Sequence, residues 1–462
     1  MFKEGKSMNY YLAIDIGASS GRHIVGWIEN GKLMTEEVFR FPNGVKKFNS
    51  HLVWDVDELF ESVKAGIAEA LRKYPSITSL AIDTWGVDYV LLNGDRAITP
   101  CYAYRDGRTE TVVAKVHAIM PFEQLYKKTG IQFEPFNSVY QLFEDKRQGR
   151  LKDATDFLMM PEYLNFKLTG EKKHEYTNAT TTGLVNAITG EYDAEIIKNL
   201  GLPEKLFGKL YAPGTIVGKL KPEVAAEVGG QVTVVLCATH DTASAVLAAP
   251  IDGQTPYISS GTWSLLGVEQ DFAHTDEDSL AANYSNEGSI NGGFRYQKNI
   301  MGLWMLQNAR KELGNISFPE LSAMARGRET TDRVNVNDNR FLAPASMLGE
   351  IDKAVGRKLG AASALRVIYE SLAESYKEAI EELERNTGKT YDTLNIIGGG
   401  SRDSFLNQLT AKATGKRIIT GPVEATAIGN MIMQTIAAKE VENLAAARQI
   451  IKQSFEISEV NV

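Results

Sequence analysis

Apolar residues run from Tyr11 to Ile16, break at the turn Gly17–Gly21, and resume in Ile24, Val25, Trp27 and Ile28. Aliphatic, β-branched and aromatic residues in short runs favour strands, so this stretch predicts strand, turn, strand. Asn30-Gly31 marks a second hairpin turn and a third strand. Asp55 to Lys73 has the spacing of an amphipathic helix. Leu80 to Leu92 predicts another strand-turn-strand unit, with Asn93-Gly94 as its turn. From about residue 110 to 210 the pattern is mostly helical. The run QVTVVLCATHD (231–241) returns to a buried strand that ends in an acid. Residues 361–388 predict a long helix. LNIIGGGSRDSFLNQLTAKATG (394–415) predicts a strand, a glycine turn and a helix. GPVEATAIGNMIMQTIAA (421–438) predicts a buried helix after a Gly-Pro turn.

PIDGQTP (250–256) packs two prolines and a glycine into seven residues and is the best candidate for a domain boundary. YISSGTWSLLGV follows at once: a strand, a Ser/Gly/Thr turn and a strand, echoing the opening of the chain. The expected organisation is therefore duplicated, with one domain over 8–249 and a second over 255–455. A length of 462 residues suits two or three domains. The net charge of -8 argues against non-specific nucleic-acid binding. It leaves room for an anionic ligand held by backbone amides and a metal. Cys101 and Cys237 cannot form a disulfide framework and predict small core thiols. No apolar run approaches the roughly 18 residues that span a membrane. The start, MFKEGKSMNY, lacks a signal-peptide core, so a cytoplasmic location is expected, with Met8 as an alternative start.

The chemistry concentrates at the turns. Gly and Ser let backbone amides approach an anion, and such a turn forms a phosphate cradle. In a P-loop or Rossmann unit a helix would follow; here a strand does. An acidic strand end feeding a β-hairpin phosphate loop is similar to the opening of the actin-like ATPase fold, which implies ATP and a metal ion. Asp15, at the strand end, is placed to hold Mg2+ directly or through water. The amides of Ala18, Ser19, Ser20 and Gly21 would meet the phosphates, with Arg22 nearby. Ser259, Ser260, Gly261 and Thr262 would close on them from a second loop. Gly398-Gly399-Gly400 permits close approach of adenine or ribose, or else tight helix-on-sheet packing. His240-Asp241-Thr242 delivers three polar side chains from a buried strand. A kinase acting on an alcohol needs a carboxylate to accept the hydroxyl proton. Asp241 fits that role, with His240 and Thr242 bonding other substrate oxygens; Asp241 also suits a helix N-cap. Thr84-Trp85-Gly86-Val87-Asp88 interrupts an apolar hairpin, with Trp85 as a core residue or a sugar platform. The histidines at 23, 51, 117, 174 and 274 show no ligand spacing.

In this order, DIGASSGR, DTWGVDYVLL, YRDGRT, THDTASAV, SSGTWSLLG, GGGS and GPVEATAIGN resemble the FGGY carbohydrate kinases, over residues 10 to 455. IQFEPFNSVYQL, MPEYLNFKLTG, EYTNATTTGLVN and KNIMGLWMLQ narrow the likeness to one branch of that family. The resemblance implies an α/β fold of two actin-like ATPase (ribonuclease H-like) domains with an interdomain active-site cleft. It implies a ketose and MgATP as ligands, with neither nucleic acid nor membrane as a partner. By that resemblance Asp241 is the proton acceptor. Gly86, His240, Asp241, Thr242 and Asn299 match sugar-site positions. Ala18 to Arg22, Thr262, Gln307 and Gly400 match ATP-site positions. Two departures stand out: Thr239 where Ser is expected, and Arg402-Asp403 where Gln-Asn is common. A kinase for another ketose, such as fuculose or xylulose, shares the same fold. A non-kinase actin-like ATPase would leave THDT and DTWGVD without a job.

Overall fold

The computed structural model describes residues 8–251, 253–290 and 292–460. The residues before Met8, and Asp252 of the proline-rich stretch, lie outside them. The chain divides into two compact units. One runs up to Ala248 and takes in Gln270–Arg295 and Thr426–Ser454; the other holds Ala249–Glu269, Tyr296–Ala425 and the chain from Phe455.

The first unit is built on a six-stranded sheet. Its strands are β1 (Tyr10–Ile16), β2 (Ser20–Glu29), β3 (Lys32–Pro42), β4 (Ile77–Thr84), β5 (Ile216–Lys219) and β6 (Thr233–Val235), in the order β5-β6-β4-β1-β2-β3. β1 pairs antiparallel with β2 and parallel with β4, and β4 pairs parallel with β6. Asn30 and Gly31 have φ of 50° and 77°. A type I′ turn needs both central residues there, which is why Asn-Gly occupies it. Helix α1 (Val56–Lys73) is capped by Asp55, whose side chain accepts the Glu58 N–H. Its face of Val56, Leu59, Phe60, Val63, Ile67, Ala70 and Leu71 is buried. Each large apolar side chain so buried contributes about 1.5–3 kcal/mol. The stretch 110–210 folds as short helices around a core that includes Tyr140, Phe143, Phe157, Leu184 and Ile196. The predicted strand 231–241 is regular only over Thr233–Val235. Helix α2 then begins at Asp241 and runs to Leu247.

The second unit repeats the plan. β7 (Tyr257–Ser260) and β8 (Trp263–Gln270) form an antiparallel hairpin. β9 (Phe294–Met301) flanks β8, while β10 (Thr393–Ile397) and β11 (Arg417–Thr420) lie in parallel on the other side of β7. The order β9-β8-β7-β10-β11 matches β3-β2-β1-β4-β6 strand for strand. This is the expected α/β architecture, two ribonuclease H-like domains of the actin-like ATPase type. Helices α3 (Trp304–Glu312), α4 (Ala361–Thr387) and α5 (Ser404–Thr414) belong to this unit.

Helix α6 (Ala425–Ala437) is the expected buried helix. From Thr426 onward it packs in the first unit. Gln434 Nε2 donates to the Leu12 carbonyl at 3.0 Å, and Ser79 Oγ donates to Gln434 Oε1 at 2.7 Å. A Cβ on Gly429 would sit 1.8 Å from the Ser244 carbonyl oxygen, so only glycine allows this approach. Cys101 and Cys237 are buried free thiols, as expected. No helix among the described residues is long and apolar enough to cross a membrane.

Candidate active site

Three neighbouring strand ends in the first unit bring the acids together. Parallel pairing sets Asp15 directly opposite Asp83. One residue on, Thr84 bridges His240, and the Thr84 N–H donates to the Thr239 carbonyl at 2.9 Å. The carboxyl ends of β1 and β4 and the start of α2 therefore present Asp15, Asp83 and Asp241 side by side. Ligands of parallel α/β sheets bind at such ends. Asp83 is fully buried. Burial, and then the charge of Asp15, push its carboxyl well above the usual carboxylate range. Its Oδ2 accepts from Asn430 Nδ2 at 2.6 Å, while Oδ1 has no partner among the described residues.

Asp83 is the functional candidate that the local pattern does not single out. The signal was present: Leu-Ala-Ile-Asp occurs at 12–15 and again at 80–83. The same strand ending was written twice, and the register places both copies abreast.

Asp15 is held by Arg22, whose Nε and Nη2 lie 2.9 and 2.8 Å from Oδ2. Arg22 thus neutralises the strand-end acid, beyond its expected proximity to a phosphate. Magnesium takes oxygen donors, usually one or two carboxylates with water and phosphate completing the shell. No group of three or more His, Cys, Asp or Glu among the described residues forms a metal cage. Asp15, with the unpartnered Asp83 oxygen opposite it, supplies the partial, all-oxygen donor set that a phosphate-bound Mg2+ fits.

Asp241 opens α2 as its first helical residue; His240 holds the cap position. Its Oδ1 accepts the Thr242 N–H at 2.6 Å and lies 3.2 Å from Thr242 Oγ1. The side chain is 32% exposed. Desolvation raises its pKa, opposed by His240 and reinforced by Asp15. A raised carboxyl with an open face is suited to accept a proton. Thr239 is explained by a fully buried acid: its N–H and Oγ1 both donate to Glu175 Oε2, at 3.1 and 2.7 Å. Glu175 also caps the short helix Tyr176–Thr180 through the N–H groups of Thr177 and Asn178. A hydroxyl at 239 is needed there, and Thr supplies it as Ser would.

Gly86 and Val87 form a strained turn. The Asp88 N–H donates to the Gly86 carbonyl at 2.8 Å, and Val87 sits at φ 64°. A β-branched residue in that region is a true outlier and is held only where its surroundings over-determine it. Here Thr181 Oγ1 accepts the Val87 N–H, and Ser138 Oγ donates to its carbonyl at 2.6 Å. A Cβ on Gly86 would lie 3.0 Å from Thr181. Trp85 takes its core reading: it is buried and tilted against Trp54, with ring centroids 4.2 Å apart. Both indole N–H groups donate to Asp88.

The remaining candidates lie in the second unit. The Leu303 and Trp304 N–H groups donate to the carbonyls of Gly261 and Thr262, at 3.0 and 3.1 Å. This joins the second hairpin loop to the start of α3, which carries Gln307. A Cβ on Gly400 would meet Ser260 Oγ at 1.9 Å, and Gly398 has φ 80° with the Ser260 carbonyl 3.0 Å from its own would-be Cβ. Two of the three glycines are thus required by packing on β7; Gly399 has open space. Asn299 lies on β9, and its Oδ1 is buried without a partner among the described residues. Asp403 caps α5 and accepts the Tyr369 hydroxyl at 2.8 Å, while Arg402 reaches Glu424 at 4.0 Å. So Thr262, Gln307 and Gly400 gather around the end of β7 within one unit, and Asp15, Ala18–Arg22 and His240–Thr242 around the ends of β1 and β4 in the other.

Residues 10–248 match the N-terminal domain of the FGGY family of carbohydrate kinases, and residues 256–438 match its C-terminal domain. Relatives named rhamnulokinase are similar over nearly the whole chain. The Oceanobacillus iheyensis protein is 44% identical over 96% of this chain and 97% of its own. The Halalkalibacterium halodurans protein is 45% identical over 97% and 98%, and the Bacillus subtilis protein 42% over 97% and 94%. Among solved structures, a gluconate kinase from Lactobacillus acidophilus has a TM-score of 0.81 at 18% identity, covering 98% of this chain and 93% of that one. A xylulose kinase from the same organism has a TM-score of 0.80 at 19% identity, covering 97% and 93%. At such identities the two structures speak to fold alone. Two matched domains spanning most of the chain, and relatives above 40% identity, place this protein in the FGGY family of carbohydrate kinases.

Proposed function

We propose that this kinase transfers the γ-phosphoryl group of ATP to O1 of L-rhamnulose, giving L-rhamnulose 1-phosphate and ADP, as a step in L-rhamnose breakdown. The observation that carries the chemistry is the half-open carboxylate of Asp241 at the strand ends, beside Asp15 and Asp83. The sugar rests on the full-length relatives named rhamnulokinase. In this reading Asp241 takes the proton of the attacking hydroxyl as the new O–P bond forms and the bond to ADP breaks. His240, Thr242, Gly86 and Asn299 hold the sugar. Ala18–Arg22, Thr262, Gln307 and Gly400 hold ATP. Asp15 holds Mg2+, which neutralises phosphate charge when bound. Residues 8–249 then serve as the sugar-binding and first phosphate-loop domain, and 255–455 as the nucleotide-binding domain. Two buried free thiols suit a reducing cytoplasm.

A site that bonds particular hydroxyls rejects sugars that misplace them, because its own polar groups are left unpaired. The test is kcat/KM for L-rhamnulose, fuculose and xylulose with MgATP under one set of conditions. L-Rhamnulose should rank first. If fuculose or xylulose leads, the kinase assignment stands and the sugar assignment falls.

A further inference from the structure

His240 is buried by a charged pair from a distant part of the chain. Glu287 lies on the strand Ser285–Gly288, and Arg295 near the start of β9. Both belong to the first unit, as does His240. Glu287 Oε2 is 3.0 Å from His240 Nδ1 and 2.9 Å from Arg295 Nη2. The Arg295 side chain is 1% exposed, and its Nε donates to the Gly288 carbonyl at 3.2 Å. Its Nη2 also lies 3.3 Å from His240 Nδ1. On the other side of the ring, Nε2 is 3.5 Å from Asp241 Oδ1.

We propose that Glu287 and Arg295 are positioning residues that hold His240 as the tautomer protonated on Nδ1, turning Nε2 toward the sugar as a hydrogen-bond acceptor. The proposal rests on the sugar-kinase reading of this site. A carboxylate only accepts, and the guanidinium only donates. A lone pair on Nδ1 would point at the nearer group, the Glu287 oxygen, and repel it. An N–H there makes a charge-assisted bond instead, while Arg295 neutralises Glu287. In the neutral ring, Nε2 is then the bare nitrogen. An Nε2–H would point instead at Asp241 Oδ1, which already takes the Thr242 N–H, and would leave the ring nothing with which to accept from the sugar. With Nε2 bare, it and the Asp241 carboxylate offer two acceptors, the carboxylate through Oδ2 because Oδ1, 3.5 Å from Nε2, takes the Thr242 N–H. They match the ring-closed ketose, whose C1 hydroxyl loses its proton to Asp241 while the neighbouring C2 hydroxyl donates to His240. The chain's selectivity is thereby for a vicinal arrangement, and the device that sets it lies behind the histidine.

Two measurements test this. Imidazole 15N spectra of the free enzyme, with His240→Gln to identify the signal among six histidines, should show Nδ1 protonated and Nε2 bare. Kinetically, Glu287→Met should raise KM for the preferred ketose about tenfold or more, the scale of a hydrogen bond to a charged group. KM for ATP should stay where it is. Glu287→Gln, whose amide oxygen still accepts the Nδ1 proton, should recover most of the loss. Should Glu287→Met fail to fold around an uncompensated guanidinium, Glu287→Met/Arg295→Met removes that charge as well and carries the same expectation. A proton on Nε2, an equal rise in both KM values, or Glu287→Gln no better than Glu287→Met would each overturn the proposal. The spectra need no sugar, so an error in the sugar assignment leaves this arm standing and shows itself only in the ketose panel.

Discussion

The two hairpins that open the two sheets share a strand pairing and differ in chemistry. In each, one strand pairs antiparallel with the next and parallel with a later strand, β1 with β2 and β4, β7 with β8 and β10. In each, a glycine N–H closes the loop at 2.9 Å, Gly17 onto the Ser20 carbonyl and Gly261 onto that of Trp263. The register matches Asp15, opposite Asp83, with Ser259, opposite Ile397. It matches His23, opposite Ile14, with Leu266, opposite Ile258. One hairpin therefore carries an acid paired to an acid over a buried histidine. The other carries a hydroxyl over an aliphatic core, with glycines pressed against it. The same fold was kept twice, and at this register the paired acids stand in one copy only.

The largest way to break this division is at the base. Asp241→Asn preserves size and one acceptor oxygen but cannot take a proton. Its kcat should fall roughly 100-fold or more, with the fold intact by circular dichroism. A turnover near wild type would move the proton acceptor elsewhere.

The buried histidine gives the next contrast. His23 is fully buried, its Nε2 at 3.1 Å from the Val63 carbonyl and its Nδ1 without a partner among the described residues. Burial pushes its pKa down to about 4. A depressed histidine binds fewer protons folded than unfolded, so its contribution is complete above the unfolded value near 6.5 and is lost as pH falls through about 4. At about 1.4 kcal/mol per unit, the loss is on the order of 3 kcal/mol. His23→Leu copies the residue of the second hairpin. It should flatten the fall in urea midpoint between those pH values. An equally steep fall in the variant would assign the acid sensitivity to other groups.

What the chain disclosed from local pattern follows the same split. Helix α1, both hairpins, α4 and the strand-glycine-helix around Gly398 declare themselves through spacing, caps and turn residues, which act over a few positions. Asp241 declared itself because a buried run ends on it. Asp83, Glu287 and Arg295 did not. The repeat of Leu-Ala-Ile-Asp hints at Asp83, but its place beside Asp15 appears only when β4 is set parallel to β1 in one register. Glu287 and Arg295 matter because a later stretch of chain folds back to His240. Asn430 looks like any helix residue until its amide reaches Asp83. Long-range pairing makes these contacts, and no local periodicity encodes them. The glycines at 398 and 400 show the converse: their pattern was plain, but only the approach to Ser260 shows that packing on β7 requires them.

The finest test sets the register partners against each other. Asp15 and Ser259 occupy equivalent positions at the ends of β1 and β7, so backbone placement alone would give them equivalent effects. The acid-versus-hydroxyl difference predicts otherwise. Asp15→Ala removes a hard oxygen donor, exposes the Arg22 guanidinium to the phosphates, and leaves Asp83 without its neighbour. Turnover should drop by about tenfold or more, and the Mg2+ concentration for half-maximal rate should rise, because phosphate charge is less well neutralised. Ser259→Ala removes an uncharged group of similar size from a sheet that carries no acid at that register. Its Mg2+ titration should overlay that of the unmodified enzyme, with any change confined to KM for ATP. Equal Mg2+ shifts in the two variants would mean that the hairpins share the metal's work, and the division drawn from their registers would fail.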